Sequence, residues 1–396
     1  MAHRPENIDN WRVRGGALLA AGLLLLASGC GQTEITLPKN VATTGSILID
    51  TEPDSLDGPW VLTGPEGLTF SGRGDTTLAK FAPGTYTLAW GQVADWNPPF
   101  TQQRDLAAGE EARFGGRYTG ENPFAGLEFG TDTTLEVVTW NVEHFAKRGL
   151  VTVDMVARAV MTMDVDIVAL QEIEDAGYFR DLDAQLAGWT GVRAASAGYG
   201  INLAYLYRDG GDWVMDSIGE ILTANSREFP RAPLVLEGRF KGVPVVVINN
   251  HFKCCGDNFI GTDMWDEEVR RRDACVLLDQ YVGANFPGKK VIIVGDMNDS
   301  LTDASDRNVF NVFLDNPAGW RFVDMDIAEG SSHGWSFPGW PSHLDHILVN
   351  AALFSAVDGP AAAVSVVPLF EGYPNGWSGF DTEISDHLPV ALKLIP

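Results

Sequence analysis

"VIIVGDMNDS", residues 291–300, opens as four β-branched residues and then drops into Gly, Asp, Met, Asn, Asp and Ser. An apolar run of this length bounded by turn residues reads as a strand buried on both faces. It sets Asp296 and Asn298 at the mouth of a core strand, where a carboxylate is costly unless something positive meets it. What meets it decides the function.

Outward from this strand, the chain from 134 onward repeats the same device. "LEVVTW" reads as a strand, "TVDMVARAVMTM" carries apolar residues at helical spacing, and "DIVALQ" is again a strand. Further strands are expected at "LAYLYR", "PLVLEGRF", "VPVVVINN", "DHILV" and "LPVALKL", with a long helix over 264–284. Many strands and few helices imply two packed sheets with helices outside. Polar residues cluster just past the strands: Asn141 in "TWNVEHF", Glu172 in "ALQEIED", His251 in "INNHFK", Asp345 in "SHLDHILV", and Asp386 with His387 in "ISDHLPV". One Asp-His pair before a strand is commonly a turn or cap. Six strand ends with complementary polar types are not explained by capping.

Ahead of this region, residues 45–119 alternate short β-type runs, "GSILID", "WVLTG", "GTYTLAW" and "EARFGGRY", with turns every eight to twelve residues, the pattern of a small all-β sandwich. This part brings no histidine or cysteine, so it is expected to be a spacer or partner-binding domain. Residues 120–133 are the expected linker and 134–396 the catalytic domain. The chain of 396 residues carries a net charge of -25, which argues against wrapping nucleic acid by bulk electrostatics. It leaves room for an enzyme that masks local acidity with metal ions.

The first 29 residues have the form of an export signal: Arg4, Arg12 and Arg14 precede "ALLAAGLLLLA", an apolar run too short to span a bilayer. The run ends in "LASGC", which resembles a bacterial lipobox and makes Cys30 the expected lipidated N-terminus, with 30–44 as a tether to the cell envelope, the outer membrane or the cell surface in a Gram-negative host. Of the remaining Cys254, Cys255 and Cys275, two can pair in an oxidising compartment, with Cys275 placed on a helix from which it could reach either neighbour.

On those six motifs, residues 134–396 resemble the endonuclease/exonuclease/phosphatase superfamily, which includes deoxyribonuclease I, bacterial sphingomyelinases and inositol polyphosphate phosphatases. The resemblance implies a four-layered α/β sandwich, two packed mixed β-sheets flanked by helices, and a divalent-metal phosphoesterase using Mg²⁺ or Mn²⁺, with Ca²⁺ a further candidate. It makes Asn141, Glu172 and Asp386 hard-oxygen metal ligands, with Asp296 and Asn298 positioning the attacking water, contacting phosphate or holding a second cation. His387 becomes the general base or phosphate-polarising group, oriented by Asp345, and His251 the donor to the leaving oxygen. Arg231 in "FPRAPLV" is a candidate substrate-phosphate contact or a plain salt bridge. His346 should point to the other face of its strand and be structural.

An inositol phosphatase is expected to carry Arg after the late strand aspartate, where this chain has His346. A sphingomyelinase-like enzyme is expected to expose an aromatic loop, for which "YPNGWSGF", with Trp377 and Phe380, is the candidate. The leading expectation is a lipid-anchored, metal-dependent nuclease or phosphodiesterase acting on a phosphodiester substrate, nucleic acid first. A phospholipid phosphodiesterase or phosphomonoesterase is the alternative, and an inactive surface binding module the third reading.

Overall fold

A computed structural model describes residues 43–197 and 200–396. The signal segment and Cys30 lie outside the described residues. The described residues form one compact unit.

The front part is all-β. Strands β1 (Gly45–Glu52), β2 (Pro59–Thr63), β3 (Thr69–Arg73), β4 (Thr76–Phe81), β5 (Gly84–Trp90), β6 (Gln102–Leu106) and β7 (Glu111–Arg117) build a three-stranded sheet, β4-β1-β7, and a four-stranded sheet, β3-β2-β5-β6. Alternate residues such as Ile47, Ile49, Leu62, Tyr86 and Phe114 fill the core of this part. Residues 120–133 are not a free tether: Phe124 is buried and stacks on Tyr373 at 6.0 Å between ring centroids. Arg104 pairs with Asp181 at 2.6 Å, and Arg117 bridges Glu52 and Glu383.

Two six-stranded sheets follow. The first has the order β10-β11-β9-β8-β19-β18, from β8 (Leu135–Phe145), β9 (Ile167–Ile173), β10 (Trp189–Arg193), β11 (Asn202–Arg208), β18 (Ala363–Val366) and β19 (Val390–Leu394). The second has the order β12-β13-β14-β15-β17-β16, from β12 (Trp213–Glu220), β13 (Leu234–Phe240), β14 (Val243–His251), β15 (Lys290–Asp296), β16 (Trp320–Phe322) and β17 (Asp345–Asn350). Each sheet has a parallel pair, β8 with β9 and β14 with β15, crossed over by helix α1 (Leu150–Met163) and by the long helix Glu267–Asn285.

The run "VIIV" shows how the layers assemble. Ile292 and Val294 point into the core between the sheets, together with Val137, Ile167, Val247 and Ile347. Val291 and Ile293 point the other way, against Leu278 and Val282 of the long helix. Every side chain of the run is buried, each stabilising the fold by about 1.5–3 kcal/mol. On the first sheet, Val138, Val168 and Leu170 pack against Val156 and Val160 of α1. The order helix, sheet, sheet, helix is the four-layered α/β sandwich.

Candidate active site

The topology gathers the six strand ends. In parallel β8, β9, β14 and β15 the carboxyl ends share one edge, where Asn141, Glu172, His251 and Asp296 sit. Strands β17 and β19 run antiparallel to their neighbours and so begin at that edge, bringing Asp345, Asp386 and His387 to it. The register is direct: His251 pairs with Asp296, and Asp296 with Asp345. Gly295 makes the close approach feasible. Its φ is 150°, and a Cβ there would meet the Asn250 carbonyl oxygen at 2.0 Å.

Asp296 Oδ2 is the hub. It accepts from Asn141 Nδ2 at 2.9 Å and faces His251 Nε2 at 3.5 Å and His387 Nε2 at 3.9 Å. Its Oδ1 accepts from the Asn298 backbone at 3.0 Å. Asn141 Nδ2 also donates to Glu172 Oε1 at 3.1 Å, so one amide bridges two carboxylates. Glu172 Oε1 stands 3.9 Å from His251 Nε2, and Asp386 Oδ1 3.8 Å from His387 Nε2. His387 Nδ1 donates to Asp345 Oδ2 at 2.7 Å. Among these strand-end residues, two buried polar atoms have no protein partner, Asp345 Oδ1 and His251 Nδ1.

The electrostatics separate the two histidines. Burial lowers the pKa of His387, but the Asp345 charge and hydrogen bond, with Asp296 and Asp386 beyond, override it and push it up to about 10. This ring is an imidazolium at neutral pH. Burial, then the charges of Arg231 and His387, press His251 well below the ordinary imidazole value and keep it neutral. Burial raises Asp296 to about 6 against the pull of His387, and raises Asp386 to about 7, helped by Glu143. Burial is the main cause of both rises, and buried carboxyl groups gathered at one edge suit a divalent ion.

Backbone strain is concentrated here as well. Glu143, His144, Glu172 and Asn298 hold φ of 32°, 46°, 63° and 52°, a region that costs a side-chain-bearing residue about 1–3 kcal/mol. Local bonds fix these conformations: Glu143 N donates to Asn141 Oδ1 at 2.9 Å, and His144 N to Glu172 Oε2 at 3.0 Å.

Glu143 is the neighbour that the motifs did not announce. Its Oε2 accepts from the Asp386 backbone at 2.9 Å and pairs with Lys147. Only its place two residues after Asn141 hinted at this. Arg231 makes no ion pair among the described residues. Its guanidinium donates to the Phe252 carbonyl at 3.4 Å, which Asn298 Nδ2 shares at 3.3 Å. It lines a cavity of about 570 Å³ with Phe229, Pro230, Lys253, Cys254 and Arg270. His346 is structural as expected, bonded to Asp324 Oδ2 at 2.6 Å.

Two expectations are corrected. "YPNGWSGF" is not an exposed aromatic loop: Gly376–Glu383 is helical, Phe380 is buried, and Trp377 stacks on it at 6.0 Å and packs edge-on against Phe370. Cys275 does not reach its fellow cysteines, because its side chain is sealed among Leu278, Val246 and Ile293 in the apolar core.

A buried cluster of carboxylates and histidines thus lies at the open edge of a two-sheet α/β sandwich. The model of the Endonuclease/Exonuclease/phosphatase family matches residues 138–387, and the chain belongs to that family. It is therefore a phosphoesterase. Among solved structures it is similar to D. rerio TDP2 humanized by 14 mutations, with 16% identity over 67% of this chain and 99% of that one and a TM-score of 0.48. It is similar to the human Nocturnin catalytic domain with bound sulfate, with 16% identity over 66% and 94% and a TM-score of 0.46. An endonuclease/exonuclease/phosphatase from Bacteroides vulgatus gives 16% identity over 66% and 98% and a TM-score of 0.46. No curated protein matches the chain.

Proposed function

We propose that this protein is a divalent-metal-dependent phosphodiesterase, with nucleic acid as its first candidate substrate, exported and held to the cell envelope through a lipid on Cys30. The observation that carries the metal is the crowding of Glu172, Asp296 and Asp386 around two histidines, with burial raising Asp296 and Asp386 toward neutral pKa values. Glu172 and Asp386, with Asn141 beside them, would hold Mg²⁺ or Mn²⁺, a hard cation that keeps room for water and phosphate. When bound, the ion supplies Lewis-acid stabilisation to the phosphoryl oxygens.

The remaining steps belong to the chain. Asp296, with a pKa of about 6, accepts a proton from the attacking water, close to the optimum for a base at neutral pH. The imidazolium of His387, held by Asp345, donates its Nε2 proton in a hydrogen bond to a phosphoryl oxygen. Neutral His251 offers one N–H to the leaving oxygen, and Asn298 and Arg231 bind the phosphate. A diester is favoured over a monoester by the cavity beside Arg231, which gives room for a second ester substituent.

The test is to incubate the metal-loaded full chain with plasmid DNA, RNA, sphingomyelin and bis(p-nitrophenyl) phosphate, with and without excess chelator. Chelator-sensitive cleavage of nucleic acid is expected. Turnover that survives the chelator rejects the metal, and cleavage confined to sphingomyelin rejects the substrate class. For the anchor, palmitate label that persists in Cys30→Ser rejects lipidation at that residue.

A further inference from the structure

The loop that follows His251, "FKCCGDN", carries two adjacent cysteines beside the cavity of Arg231. Their sulfurs lie 2.9 Å apart, the Cys255 thiol donating to Cys254. Cys255 sits at φ 70°, in the left-handed region, and is exposed, whereas Cys254 faces the cavity. The backbone around them is fixed by a buried guanidinium. Arg271 Nη1 donates to the carbonyls of Lys253 and Cys255, each at 2.7 Å, while Nε donates to Asp299 Oδ2 at 2.8 Å. The third described cysteine, Cys275, is out of reach in the core.

We propose that Cys254 and Cys255 are a redox modification site that closes into a disulfide between adjacent residues, and that closure sets the cationic wall of the cavity. The clamp by Arg271 means that little ordering remains to be paid when the bond forms. The oxidant is a disulfide, small-molecule or protein-borne. The Cys254 thiolate, with Lys253 Nζ 3.6 Å from its sulfur, attacks one sulfur of that disulfide and expels the other as a thiolate. The Cys255 sulfur then attacks Cys254 Sγ, the Sγ–Sγ bond forms, and the second external thiolate leaves. Two cysteine thiols are oxidised, one external disulfide is reduced to two thiols, and the two protons lost by the cysteines end on those thiols. The wall responds because Lys253 precedes the pair, and because the Phe252 carbonyl one residue earlier is held by both Arg231 and Asn298.

The bond and its effect are tested on the full chain with separate readouts. After incubation with oxidised glutathione, the protein is alkylated without reduction, digested and mapped by mass spectrometry. The peptide holding Cys254 and Cys255 should be unalkylated and lighter by two hydrogens than the dithiol, taking two alkyl groups only after reduction. Alkyl label on either residue, retained glutathione, or a link to Cys30 or Cys275 overturns the bond. Affinity for inorganic phosphate, titrated calorimetrically in both redox states, should differ about threefold or more, a shift of roughly 0.7 kcal/mol. Equal affinities overturn the coupling to the wall. Absence of phosphate binding in both states overturns the coupling and also the placement of phosphate at Arg231 on which it rests. Cleavage of the diester panel tests the proposed function independently.

Discussion

Two buried clusters of aspartate and histidine hang from strand β17, and they differ in what is left unsatisfied. Asp345 and His346 are consecutive, so they face opposite sides of the sheet. On one side Asp345 holds His387, yet Asp345 Oδ1 and His251 Nδ1 find no protein partner and Asp296 and Asp386 have raised pKa values. On the other side every valence is used. Asp324 Oδ2 accepts from His346 Nδ1 at 2.6 Å and His343 Nε2 at 3.0 Å, and its Oδ1 accepts from the Ile347 backbone at 3.0 Å. His346 Nε2 donates to the Asp299 carbonyl at 2.9 Å, and Ser336 N donates to His343 Nδ1 at 3.4 Å. Both clusters have ligand-like composition and spacing. What separates chemistry from support is the free valence, since a saturated buried network rigidifies the fold and has nothing to offer a substrate.

The largest effect should come from the hub of the unsaturated cluster. Asp296→Asn keeps the shape but removes the base, and kcat is expected to fall by about three orders of magnitude. Thermal unfolding should stay cooperative, with Tm unchanged or higher, because a buried charge is removed. A variant that loses stability as well as activity would place Asp296 with the saturated kind. Next is the pair on β17's open side. His387→Ala and Asp345→Asn should each lower turnover by roughly two orders of magnitude. If Asp345 serves mainly to hold the imidazolium, the double variant should cost little more than His387→Ala alone. Losses that multiply in well-folded protein would give Asp345 an independent role.

The saturated cluster should answer in stability instead. Asp324→Asn leaves the buried His346, which donates from both ring nitrogens, without its counter-ion and His343 without its carboxylate acceptor, and is expected to cost about 3–5 kcal/mol in denaturant unfolding. The turnover of the folded fraction should change less than about tenfold, on the scale of an indirect effect. The sign with pH follows. Burial alone would raise Asp324, but the His346 charge and the two histidine hydrogen bonds hold it well below the usual carboxylate range. Its contribution is therefore present above the unfolded carboxyl pKa and is lost as pH falls through the depressed value. The stability gap between wild type and Asp324→Asn should therefore narrow in strong acid, as this carboxyl takes up its proton in the fold.

The sequence carried most of this fold where burial is two-sided. "VIIV" and "VPVVVINN" are readable because both faces of a central strand must be apolar. The strands of the two six-stranded sheets that escaped, β10, β12, β16 and β18, are their four edge strands, and those that escaped in the front part, β3, β4 and β6, are edge strands too. An edge strand has one neighbour and needs no apolar run. In β12, "WVMDSIGE", only Trp213 is buried. The short helix Ala176–Gln185 likewise buries only Phe179, Leu182 and Gln185. At the site, the residues on strand ends were legible because strand direction fixes where they emerge. Glu143 and the Asp324 network were not, since they act through contacts between segments far apart in sequence. The aromatics of "YPNGWSGF" were visible as residues, but nothing local said that Phe370 would meet Trp377 from the other side.

A third buried acid sharpens the contrast, because it has neither a histidine counter-ion nor a free edge. Glu136, on β8, is almost fully buried and lies against Asp166, whose Oδ2 accepts from the Glu136 backbone at 3.1 Å. Its Oε1 accepts from Thr131 N at 3.1 Å and from the Thr134 hydroxyl. Burial, with Asp166 adding to it, pushes Glu136 up to about 8, so the site is neutralised by a proton. A carboxyl raised in the folded state stabilises fully below its unfolded pKa, and that stability is lost as pH rises through the folded value. Wild-type Tm should therefore fall between pH 6 and pH 9 by more than that of Glu136→Gln, which keeps the neutral shape and never has to ionise. The difference expected is about 2.5 kcal/mol, roughly 3–4 °C in a unit of this size. Parallel Tm curves for the two proteins across that window would mean that Glu136 is ionised in the fold, and that its counter-charge has to be sought beyond the Asp166 contact.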